Sequence, residues 1–85
     1  MQIEIEVPDY SPQTGLRMEW EPDTSIQTYV RDGVMGIAAN RAGLLSLARL
    51  LLTLANPQVP AGSHWHLDET NSLEEGSTEL VIELT

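Results

Sequence analysis

Alternation opens the chain. Ile3, Ile5 and Val7 fall on one side of an extended segment and Gln2, Glu4 and Glu6 on the other, the period of a half-buried strand over residues 2–7. Pro8, Asp9, Ser11, Pro12 and Gly15 interrupt it with turn chemistry. Leu16, Met18 and Trp20 then alternate with Arg17, Glu19 and Glu21, which predicts a second strand and a hairpin with the first. A third strand is expected over residues 26–31, a two-residue turn at Asp32-Gly33, and a fourth strand over residues 34–39.

The period then changes from two to between three and four. Leu44, Leu47, Ala48, Leu51, Leu54 and Ala55 form the stripe of a core-facing helix, widened by Leu45, Leu50 and Leu52. Asn40 is its N-cap candidate, Gly43 is tolerated in its first turn, and Asn56-Pro57 ends it. After a loop over residues 57–62, a short strand is expected over 63–68, a polar turn over 69–76 and a last strand over 77–84, with Leu80, Ile82 and Leu84 inward. The sum is a single α+β domain over residues 1–85. It has two layers, one helix packed on a mostly antiparallel sheet of five to six strands in the order ββββ-α-ββ. One helix covers one sheet face, so the acids at Glu4, Glu6, Glu19, Glu79 and Glu83 are expected on a polar outer face.

Charge adds most to this picture. Thirteen acidic residues face four arginines and no lysine, a formal charge of −9 over 85 residues. Such a surface is repelled by nucleic acid and by anionic membranes, so neither is expected as a partner. It is matched to a protein with a basic surface, although acids on a sheet's solvent face also serve solubility alone. The absence of cysteine removes disulfides, thiolate nucleophiles and thiolate zinc sites, and it fits a reducing cytoplasm. The first residues read as neither a signal nor a transit peptide. The apolar run over residues 43–55 is broken by Ser46, Arg49 and Thr53, too short and too polar to span a membrane.

Chemistry has one candidate constellation, His64-Trp65-His66-Leu67-Asp68. In a strand His64, His66 and Asp68 share a face, where they could ligate zinc or form an acid/base pair. The competing reading has both imidazoles hydrogen-bonding on the sheet surface while Trp65 and Leu67 pack under the helix. That reading is adopted, and no metal, cofactor or catalytic residue is assigned. The carboxylate pairs Glu4/Glu6, Glu19/Glu21 and Glu74/Glu75 lack a cleft that would desolvate one member. No serine sits in a nucleophile elbow, and no lysine is present to hold a phosphate. An enzyme is not expected. Trp20, Tyr10 and Tyr29 are core residues or, where exposed, interface anchors.

Three stretches carry a family resemblance: Ala39-Asn40-Arg41-Ala42-Gly43-Leu44-Leu45-Ser46-Leu47-Ala48-Arg49, Pro60-Ala61-Gly62-Ser63-His64-Trp65-His66-Leu67-Asp68, and Gly76-Ser77-Thr78-Glu79-Leu80-Val81-Ile82. In combination they resemble immunity protein 32, a family of small bacterial proteins found beside polymorphic toxins, over residues 39–85. The resemblance implies a toxin-neutralising role without specifying the toxin. An inhibitor of this kind works by occlusion, and the −9 charge makes the basic cleft of a toxin that attacks nucleic acid the expected target. The resemblance supplies no catalytic residues. The surface expected to meet such a partner comprises Glu4, Glu6, Glu19, Glu21 and Glu83, with Asp68 and Glu69 at the strand end. The alternative is a small interaction or structural domain that homodimerises through an open sheet edge or the helix surface.

Overall fold

A computed structural model describes residues 1–85. Its regular elements are β1 (Ile26–Arg31), β2 (Val34–Ala39), α1 (Arg41–Leu54), β3 (His64–Leu67) and β4 (Leu80–Glu83). They form two separate two-stranded antiparallel sheets, β1-β2 and β3-β4, with one helix. The class is α+β as expected, but the single five- to six-stranded sheet in the order ββββ-α-ββ is not formed.

The missing strands are the first two. Residues 2–7 and 16–20 carry no ladder, and the only pairing in this arm is an isolated antiparallel bridge between Ser11 and Gly15. Tyr10, Leu16, Met18 and Trp20 nevertheless pack against the core. The alternation therefore reports side-chain burial without backbone pairing. The Glu6 carbonyl accepts from the Arg49 guanidinium of α1 (3.1 Å) in place of a neighbouring strand. The β1 edge that an added strand could have used is occupied by residues 74–78: the Glu74 amide donates to the Ile26 carbonyl (2.8 Å) and the Thr78 amide to the Thr28 carbonyl (3.1 Å).

Those bonds stitch the hairpins together without merging them. The Thr28 amide donates to the Ser77 hydroxyl (3.2 Å), so a side chain stands where a continuous ladder needs a backbone acceptor. The last two predicted strands are correspondingly shorter, beginning at His64 and Leu80.

The helix starts where its cap says it should. Asn40 Oδ1 accepts from the Gly43 amide (2.7 Å) and the Ser25 amide (3.1 Å), while its Nδ2 donates to the Asp23 carbonyl (2.8 Å). The buried helix residues are Gly43, Ser46, Leu50, Thr53 and Leu54. That face is rotated from the expected leucine stripe: Leu50 and Leu54 are buried and Leu47 packs on the core, whereas Leu44, Leu51 and Leu52 are about half exposed. Two things turn the helix this way. Gly43 lets it lie against Ser25, and Ser46 and Thr53 find partners inside: Ser46 with the Glu21 amide and Thr24, Thr53 with the Arg49 carbonyl. The core is Ile26, Leu50, Leu54, Val59, Trp65, Leu67 and Leu73, and the Trp65 indole donates to the Leu50 carbonyl (2.8 Å).

Candidate functional site

The arm that failed to form strands builds an open depression on the molecule. It runs along the flank of α1 and encloses an open groove of about 660 Å³ lined by residues 6–9, Arg17, residues 19–21 and Arg49. Arg49 holds it together. Its guanidinium donates to Glu21 Oε1 (2.6 Å) and to the Glu6 carbonyl, with the arginine side chain only 15% exposed. Glu21 is fixed a second time through its amide, which donates to Ser46 Oγ (2.8 Å). With Arg49 and Glu21 paired, Glu6, Asp9 and Glu19 remain against Arg17. Trp20 lines the groove while packing against the core, a rigid aromatic wall beside solvated carboxylates.

A second acidic region follows β3. Asp68 Oδ1 accepts from the Thr70 hydroxyl (2.6 Å), the Thr70 amide (2.9 Å) and the Asn71 amide (3.2 Å). These donors, the hydroxyl first, hold its carboxyl below the ordinary value of 3.8, with His66 adding a smaller attraction. Glu69 Oε2 accepts from the Gly76 amide (2.9 Å) and clasps the loop across its base. Glu21, Asp23 and Trp20 share a depression with Asn71 and Ser72, so arm and loop adjoin.

The seven acids expected at a contact surface therefore divide. Glu6, Glu19 and Glu21 line the groove, while Asp68 and Glu69 lie in the adjoining loop. Glu83 stands on the outer face of β4, paired in register with His64, and Glu4 is exposed near the chain start, outside the groove. Asp9, Arg17 and Arg49 were not singled out in the sequence. The one available signal was Arg49, a lone cation within an apolar helix run.

Both histidines lie on the exposed face of β3, as the adopted reading has them. His64 Nδ1 lies 3.3 Å from the Gly62 carbonyl, while His66 Nε2 lies 3.4 Å from Glu79 Oε2. Trp65 and Leu67 are buried on the opposite face. His66, Asp68 and Glu79 have ligand atoms within 4.8 Å of one another, so a metal would find this trio rather than one containing His64. The trio lies at the surface with Asp68 already holding its loop. No helix is long and apolar enough to cross a membrane.

Charge is segregated along the chain. Between residues 24 and 67 the only acid is Asp32, against Arg31, Arg41 and Arg49; the other twelve acids lie in the arm and in residues 68–85. A model of the immunity protein 32 family matches residues 34–85, which includes β2, α1, β3 and β4. The chain belongs to the immunity protein 32 family. No curated protein and no solved structure matches it. As a family member it is an immunity protein, and what such a protein implies is a toxin as its binding partner.

Proposed function

We propose that this immunity protein neutralises its toxin by binding it and covering its active surface, with the arm groove and the adjoining 68–76 loop as the contact region. The observation that carries this reading is the segregation of charge. Twelve of thirteen acids lie in the two segments that border each other at Trp20, Asn71 and Ser72. A basic protein surface would be steered toward that side, and Trp20 would supply the desolvated aromatic anchor that charges alone do not. Occlusion needs no chemistry from the inhibitor, only a surface that is already in shape. The clamp of Arg49 on Glu6 and Glu21 supports such pre-organisation.

The test is capture of the toxin encoded beside it, at low and high ionic strength. Binding should weaken steeply as salt rises, and Glu6→Arg should weaken it further without moving the melting temperature. An interaction indifferent to salt and to Glu6→Arg would remove the acidic side from the interface.

A further inference from the structure

β2 is an end strand with a vacant edge. It pairs only with β1, and none of its backbone groups bonds to any other part of the chain. Which groups are vacant follows from the turn. A two-residue turn at Asp32-Gly33 makes Arg31 and Val34 a hydrogen-bonded pair, so Val34, Gly36 and Ala38 point their amides and carbonyls at β1. Met35 and Ile37 then point theirs away. The same alternation sends Thr28 away from β2, and the Thr28 amide and carbonyl do bond on that far side, to Ser77 and Thr78.

Natural sheets protect such an edge with lysine, proline, a bulge or a covering loop. β2 reads Val-Met-Gly-Ile-Ala-Ala, with none of these. Val34 is 62% exposed, Met35 69% and Ile37 50%. Met35 and Ile37 share a face with Val30, also exposed.

We infer that this edge pairs with the β2 edge of a second copy, antiparallel about a two-fold axis, joining the two β1-β2 hairpins into one sheet. Only registers that set outward-pointing residues opposite one another can form the ladder. The register centred on Gly36 does so, placing Met35 of each copy opposite Ile37 of the other. Both strands present the same apolar faces, as an isologous contact requires. Charge allows it as well. Asp32, at the turn, then falls opposite Asn40 of the second copy, and Glu79 is the acid that shares a depression with Met35 and Ile37; β2 itself carries no charge. A basic toxin is drawn to the arm and the 68–76 loop, which leaves the uncharged edge free for the copy.

Sedimentation velocity on the purified chain tests this without the toxin. Twice the 9.4 kDa chain mass is expected at about 100 µM, a concentration at which even a micromolar pair is mostly formed. Ile37→Pro removes an outward amide that the monomer does not use, and Met35→Lys places a charge on an exposed side chain. Both variants should sediment as folded monomers by circular dichroism. A monomeric wild type overturns the inference, and so does a dimer that survives either substitution in a folded chain.

Discussion

Gly43 shows how much one missing methyl can decide. A Cβ there would lie 2.5 Å from the Ser25 carbonyl oxygen, 3.0 Å from Ile26 Cγ1 and 3.1 Å from Ala39 Cβ. The carbonyl cannot yield freely, because it accepts from the Asn40 amide while the Ser25 amide donates to Asn40 Oδ1. Alanine would gain about 1 kcal/mol of helix propensity and lose more to overpacking, so Gly43→Ala should destabilise by about 1–2 kcal/mol. A fall in the urea midpoint at unchanged slope checks it, and a rise would show that the helix can lift off Ser25. Asn40→Ala should cost about 1–2 kcal/mol by the same assay, since it strips the acceptor from the Gly43 and Ser25 amides together. Asp68 adds a pH dependence of known sign. Its folded carboxyl is depressed, so its contribution is present above the ordinary value of 3.8 and is lost as pH falls through the folded one. Amide exchange at Thr70 and Asn71 should speed up selectively on the acid side, and Asp68→Asn should abolish that selectivity.

The elements were legible in proportion to how local their causes are. The Asn40 cap, the Asn56-Pro57 stop and the Asp32-Gly33 turn act over a few residues, and each stands where the pattern puts it. The helix face was not legible, since Ser46 and Thr53 look solvent-facing until Glu21 and Thr24 are known to reach Ser46. The arm misled for a related reason. Period two describes which side chains are buried, and Leu16, Met18 and Trp20 are packed on the core with no strand beside them. The groove could not be read at all, because it depends on Arg49 meeting Glu6 and Glu21 across long sequence separations. An arm held by the Arg49 guanidinium, the Glu21 amide bond to Ser46 and side-chain packing should be released separately from the core. Arg49→Met is expected to raise protease cleavage within residues 1–21 severalfold while the Trp65 indole N–H, bonded to the Leu50 carbonyl, keeps its hydrogen-exchange protection. Equal loss at both places would mean that the arm and core unfold as one unit.

At the scale of the whole molecule, a net charge of −9 predicts steering toward any basic partner, whichever acids supply it. A contact surface predicts something narrower, and the two can be separated by removing the same charge from different places. Glu6→Gln, Asp9→Asn and Glu19→Gln together clear the unpaired carboxylates of the groove. Asp32→Asn, Glu79→Gln and Glu83→Gln together remove an equal charge from exposed positions outside the groove and the 68–76 loop. If the toxin senses only the overall field, both triple variants should slow association alike and leave dissociation unchanged. If the groove is the contact, the first set should also speed dissociation, because desolvated partners are lost there, while the second affects only the encounter. Stopped-flow or surface-plasmon rates at two salt concentrations distinguish these outcomes. Faster dissociation from the second set than from the first would move the interface off the arm and onto the outer face of β4.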